Sequence, residues 1–255
     1  MRGKVALVTG STSGIGLAIA RALAARGSDI RLNGFGDPAA IEVLRAGIES
    51  EFSVRATFHG ADLADVTQIE RLAAEVGPVD ILVNNAGIQY VSPVESFPVE
   101  KWDALIAINL SAVFHAIRLF LPAMRERGWG RIVSLSSANG LVATANKVAY
   151  VAAKHGVVGI TKTVALETAG SGVTCNAICP GMVTTPLVQK QIDDYGARHG
   201  LSAEAAAAAF LGEKQPSKTF IRPDQIGDLV AFICSDAADQ MTGSSVSMDG
   251  GWTAQ

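Results

Sequence analysis

What this 255-residue chain lacks narrows its function before any motif is considered. Its three cysteines, Cys175, Cys179 and Cys234, are odd in number and have neither metal-site nor redox spacing. A disulfide framework is excluded, and they read as small apolar core residues in a reducing compartment. The four histidines (His59, His115, His155, His199) are scattered and form no ligand motif with nearby carboxylates, so no metal site is expected. Aromatic residues make up only 6%, the net charge is −3, and no basic tract is interleaved with aromatics. Nucleic acid is therefore an unlikely partner. There is no uninterrupted apolar stretch long enough to span a bilayer, and no signal-peptide pattern precedes the first apolar run. The expectation is a cytoplasmic, soluble protein.

What is present fits an enzyme-sized α/β chain. With 49% hydrophobic residues it can bury a large core, and residues 1–255 are expected to form a single domain. Short β-branched runs predict strands at 4–9, Asp29–Asn33, Val54–His59, Asp80–Asn84, Arg131–Ser136, Val173–Ile178 and Ser245–Met248. Amphipathic stretches at about 15–26, 38–50, 65–76, 99–127 and 148–169 predict helices between them. This alternation implies a doubly wound parallel sheet with right-handed crossovers and helices on both faces. Ligands bind such sheets beyond the carboxyl ends of the strands. Residues 186–221 interrupt the alternation with a mixed apolar and charged helical pattern, and the run AEAAAAAF within them reads as a helix. This insertion, placed after the sixth strand, is either a lid over the site or a plain surface segment.

Two constellations carry chemistry. The first strand runs directly into Gly10-Ser11-Thr12-Ser13-Gly14-Ile15-Gly16, followed by a helical pattern. Strand, glycine-rich turn and helix N-terminus together make a phosphate cradle, because backbone N–H groups can approach an anion closely. The second is Tyr150 and Lys154, with Ser137 thirteen residues before the tyrosine. Positions i and i+4 share a helix face. A tyrosine with a pKa of about 10 is a poor base near neutrality, and an adjacent cation draws that value down. A nearby serine hydroxyl would hold a substrate oxygen against the phenol. Alone, the pair would more often be two residues that happen to share a helix face; the phosphate cradle shifts the balance towards chemistry.

The chain resembles the short-chain dehydrogenase/reductase family along essentially its whole length. The motifs that carry the resemblance are Thr9-Gly10-x3-Gly14-x-Gly16, Asn84-Asn85-Ala86-Gly87, Asn109 within INLS, Ser137, Tyr150-x3-Lys154 and Pro180-Gly181. The resemblance implies a Rossmann sheet binding a nicotinamide dinucleotide. It implies Tyr150 as acid/base, Lys154 lowering its pKa and holding the nicotinamide ribose, and Ser137 orienting the substrate oxygen. Asn109 would support a water chain from Lys154 to solvent. Cofactor contacts would come from Gly10, Thr12, Ser13, Gly14, Ile15, Gly16, Phe35, Asp62, Leu63, Asn85, Ala86, Gly87, Pro180, Gly181, Val183 and Thr185, besides Tyr150 and Lys154. For Asp62 a cap on the following helix is the competing role. The second strand ends in Asn33-Gly34-Phe35, with Asp37 later and Arg31 inside the strand, and the glycine loop has no basic side chain. NAD is favoured over NADP on that account.

Within the family, the segments LNGFGD, NNAGIQ, KVAYVAAKHGVVG, ALETAG, NAICPG, EKQPS and VSMDGGWTA look very like those of bacterial D-3-hydroxybutyrate dehydrogenases. That similarity implies a 3-hydroxy acid whose carboxylate meets Gln89, Lys147 and Gln191, with Trp252 in the pocket wall. A solvated lysine, a polar loop residue and a packed core tryptophan are the plainer alternatives. Two positions depart from those enzymes, which have histidine where this chain has Asn139 and tryptophan where it has Met182. The pocket is then roomier and has one charge fewer. The competing functions are an NADPH-dependent reductase of 3-oxoacyl thioesters and a non-catalytic dinucleotide sensor. The resemblance further implies a homotetramer.

Overall fold

The computed structural model describes residues 1–212 and 214–254; Glu213 of the EKQPS segment and Gln255 lie outside the described residues. Seven strands form one sheet, in the order β3-β2-β1-β4-β5-β6-β7, with every pairing parallel. They are β1 Val5–Val8, β2 Asp29–Leu32, β3 Ala56–Phe58, β4 Ile81–Asn84, β5 Gly130–Leu135, β6 Val173–Pro180 and β7 Ser245–Met248. All seven expected strands are present. The first and third are shorter than their apolar runs, and β6 continues to Pro180.

Side-chain alternation explains why the sheet is covered on both faces. Ala6, Val8, Ile81, Val83 and Val133 point to one side, where they pack with Ile19 and Leu23 of α1 (Gly14–Ala24) and with Ile226 and Val230 of α9 (Pro223–Ile233). Leu7, Leu82 and Ile132 point to the other. There they meet Ile69 and Leu72 of α3 (Val66–Val76), Val113, Ile117 and Phe120 of α5 (Ala112–Glu126), and Val157 and Val164 of α6 (Val148–Thr168). Successive residues of a strand face opposite ways, so an unbroken apolar run is the signature of a strand buried on both sides. Pro38 and the Asp37 carboxylate, which accepts from Ala40 N at 2.9 Å, start α2 (Pro38–Phe52).

Three features of the helices go beyond the sequence expectations. First, α9 is an additional helix. Its start signal is Arg222-Pro223, with the Gln225 side chain accepting from Arg222 N at 2.9 Å. Second, the expected helix 99–127 is α4 (Val99–Ile106), a π turn at Ala107–Ser111, and α5. Within the continuous rod Val99–Glu126, one 18-residue window reaches a mean hydropathy of 1.9. Arg118 and Asn109 interrupt the rod, and its apolar stripe packs on the sheet through α5. Third, the insertion after β6 folds as α7 (Pro186–His199) and α8 (Ala203–Gly212).

The carboxyl ends of β1, β4, β5 and β6 lie side by side, and the chain leaves β1 and β4 towards opposite halves of the sheet. This switch point opens a crevice between the loops. The β1–α1 turn closes tightly there: a Cβ on Gly16 would lie 2.2 Å from Gly10 O and 2.5 Å from Asn85 Nδ2. Gly16→Ala is expected to destabilise the fold by about 1–3 kcal/mol in urea unfolding, as overpacking of a backbone contact does. Wild-type stability would mean that the turn relaxes freely.

Candidate active site

One cavity of about 460 Å³ runs along the carboxyl ends of the strands. Every expected cofactor and substrate residue lies on its wall, from Gly10 to Trp252. Of the expected catalytic residues, Ser137, Tyr150 and Lys154 line it and Asn109 does not. The wall also includes Ala61, Ile88, Ile108, Leu135, Ser136 and Val188, which carry no sequence signal because they are apolar or small residues positioned only by the fold.

At one end the glycine turn is clasped from behind. Asn85 Nδ2 donates to Thr9 O (2.8 Å) and Gly10 O (3.0 Å), while Thr9 Oγ1 accepts from Asn85 N and Ala86 N. Gly10 takes a φ of 62°, which favours glycine. Ser13 precedes α1 without capping it, so side chains leave the helix's first N–H groups open towards the cavity. Asn33, buried at the end of β2, donates to His59 O and Ala61 O. Thr12 Oγ1 donates to Phe35 O at 2.8 Å. Asp37 is occupied in capping α2, and Arg31 folds back on Ile30 O. Asp62 Oδ1 accepts from Ala64 N, whereas the cap of α3 is Asp65. Among the described residues, Asp62 is thus the one charged side chain on this part of the wall.

Midway along the cavity, α6 presents Tyr150 and Lys154 on one face, with the lysine Nζ 5.6 Å from the centre of the tyrosine ring. Lys154 is buried and donates to Leu135 O at 2.6 Å. Burial draws its pKa down to about 8. Tyr150 keeps some surface towards the cavity, yet protein crowds the phenol, and this burial pushes its pKa up, with the Ser137 hydrogen bond pulling the other way. In the protein alone, burial is the larger of these two influences on the tyrosine. Desolvation disfavours phenolate and ammonium alike, and here it dominates. Ser137 Oγ accepts from Asn139 N at 3.1 Å, which leaves its single proton to donate to the phenol or to a substrate oxygen. Asn109 sits in the π turn and clasps the loop after β4, accepting from Ile88 N (2.9 Å) and donating to Ile88 O (2.8 Å). It stands behind Gly87, where a Cβ would come within 3.2 Å of its Oδ1 and 3.8 Å of Lys154 Nζ.

The far end combines polar tips with an apolar wall. Lys147, at the start of α6, is half-buried and has no ion-pair or hydrogen-bond partner among the described residues. Burial first, and the charge of Lys214 second, lower its pKa to about 8. Asn139 is 3% exposed, and its Oδ1 accepts from Thr144 Oγ1 at 2.6 Å. Gln191 of α7 donates to Gln89 Oε1 at 2.6 Å, joining the insertion to the loop after β4. Met182 and Trp252 pack with Ala138 and Leu211, and Lys214 Nζ lies 5.6 Å from the Trp252 ring centre.

Residues 4–196 match the family model described as short chain dehydrogenase. The chain belongs to the short-chain dehydrogenase family. It is 54% identical over 261 residues to a D-beta-hydroxybutyrate dehydrogenase of Cupriavidus necator, covering 100% of both chains. It is 52% identical to the D-beta-hydroxybutyrate dehydrogenase of Rhizobium meliloti over 99% of each. Among solved structures, a variant actinorhodin polyketide ketoreductase with NADPH superposes at a TM-score of 0.92 and 35% identity, over 100% of both chains.

Short-chain dehydrogenases bind a nicotinamide dinucleotide, and the cavity of this one fits such a group. The uncapped N-terminus of α1 and the glycine turn supply donors for a pyrophosphate. The wall is continuous from that turn, past Asn85, Ala86 and Gly87, to Tyr150 and Lys154. Pro180, Gly181, Val183 and Thr185 close the opposite side, with Thr185 also capping α7 by accepting from Val188 N at 3.2 Å.

Proposed function

We propose that this short-chain dehydrogenase oxidises a short 3-hydroxy acid, D-3-hydroxybutyrate to acetoacetate, with NAD. The observation that carries this reading is the half-buried Lys147, without an ion-pair or hydrogen-bond partner among the described residues, on the same cavity wall as Tyr150 and accompanied by the amides of Gln89, Asn139 and Gln191. A carboxylate leaving water needs a cation and several donors, and this end of the cavity supplies both. The names of the two half-identical relatives support the same substrate.

In this reading Lys147 and the amides hold the carboxylate, while Met182 and Trp252 form the apolar wall against the carbon chain. Ser137 donates its free proton to the substrate oxygen and keeps it beside the phenol. Tyr150 takes the hydroxyl proton as the carbonyl forms. When bound, an oxidised nicotinamide supplies the hydride acceptor and a positive charge. Lys154, anchored to Leu135 O, places a second charge beside the phenol and offsets the upward push of burial. Asn109 keeps the Ile88 loop in place behind this group. NAD is favoured because no lysine or arginine lines the cavity near Asp62, Asn33 and Phe35 to meet a 2′-phosphate. We take the enzyme to be cytoplasmic and homotetrameric, with exposed Phe114 and Leu166 offering apolar surface for self-association.

Tyr150→Phe should lower kcat for the hydroxy acid by roughly 10²–10⁴-fold, with the NAD Kd within about twofold of wild type. Near-wild-type turnover would refute the proton-transfer role. The KM of the hydroxy acid should rise as pH passes about 8, because Lys147 loses its proton there rather than near its ordinary 10.5. In Lys147→Arg the charge persists and KM should stay flat across that range; a matching rise would locate the titration elsewhere. Steady-state comparison should show kcat/KM favouring NAD over NADP by about tenfold or more, the penalty for enclosing a phosphate without a cation. Preference for NADP would overturn the cofactor assignment.

A further inference from the structure

The amide of Asn139 is nearly symmetrical in shape, and which end faces the cavity decides what it does to an anion. With nitrogen outward it donates a hydrogen bond to a carboxylate; with oxygen outward it repels one. The side chain is 3% exposed, and its backbone N–H is held by Ser137 Oγ at 3.1 Å. On the inner side, Thr144 Oγ1 donates to Oδ1 at 2.6 Å. The amide nitrogen donates no hydrogen bond to the described residues and is not sealed away, so it opens onto the cavity that Asn139 lines. Thr144 itself is not on that wall.

We propose that Thr144 is a positioning residue for substrate recognition: its hydroxyl pins the Asn139 amide with its nitrogen towards the cavity. This rests on the carboxylate-binding reading above and extends it to a residue that touches no substrate. A threonine suits the task because its branched Cβ restricts χ1, which holds the hydroxyl in place better than an unbranched side chain would. Without that hydroxyl, the inner end of the amide loses its polar anchor, and the side chain is free to swing out of the anion's reach.

The test is a kinetic series on the full-length protein with D-3-hydroxybutyrate and its neutral methyl ester. Thr144→Val should raise KM for the acid by about five- to tenfold, the worth of one hydrogen bond to a charged group. Its kcat should stay within about twofold, and KM for NAD and for the ester should be unchanged. Thr144→Ser, which restores the hydroxyl, should bring KM for the acid back towards wild type even if Thr144→Val loses some thermal stability. An unchanged KM for the acid in Thr144→Val would overturn the proposal. So would equal increases for acid and ester, which would mark a packing effect, or a failure of Thr144→Ser to restore binding. If the unaltered enzyme turns over neutral alcohols but no 3-hydroxy acid, the underlying substrate reading fails first and the proposal falls with it.

Discussion

The bond from Lys154 Nζ to Leu135 O is the interaction on which the rest of the site depends. A buried ammonium is costly unless its protons find acceptors, and the carbonyl at the end of β5 provides one. That single contact ties α6 to the sheet at the height of the crevice. Ser136 Oγ, donating to Lys154 O at 2.9 Å, fastens the same residue by its backbone. With the helix so fixed, Tyr150 one turn earlier and Lys147 at the helix start acquire their places without any flexible linkage. The sheet supplies the frame, and this pair of hydrogen bonds transfers its rigidity to the chemistry.

The cavity divides into three regions of different physics. The glycine turn offers backbone donors and almost no side-chain charge, which suits an anion held by many N–H groups. The middle is a low-dielectric zone in which burial raises the tyrosine and lowers the lysine. The far end has the half-buried Lys147, without a partner among the described residues, and three amides, set against Met182 and Trp252. A substrate with one anionic end and a short carbon chain satisfies this last region. The Gln89–Gln191 hydrogen bond across it ties α7 to the β4 loop, which gives the insertion after β6 a direct connection to the site.

The sheet was legible because strands covered on both faces leave a plain mark: residues 81–84, 131–135 and 173–178 are mostly apolar, and every position in them is buried. Helix α9 was less legible, since its pattern is short and its start signal is a proline following an arginine. The site residues were legible where chemistry demands a rare combination, as with the glycine turn and the tyrosine–lysine pair. Thr144, Leu135 and Lys214 were not, because a threonine in a loop, a leucine in a strand and a lysine after a helix are common everywhere. Asp62 and Asp65 illustrate the same limit. Both precede α3 in sequence, and only the backbone course shows that Asp65 caps the helix while Asp62 faces the cavity.

By itself, the sequence determined the strand–helix alternation, the cradle, the i,i+4 pair and the absence of a basic clamp, all of which are local patterns or counts. Tertiary structure decided what those residues experience. Whether a tyrosine is acidic depends on what surrounds its oxygen, and here burial pushes against the phenolate while the Ser137 hydrogen bond favours it. Whether an asparagine attracts or repels an anion depends on which end of its amide is held. Solvation and hydrogen-bond direction are properties of enclosure in three dimensions, and no one-dimensional spacing contains them.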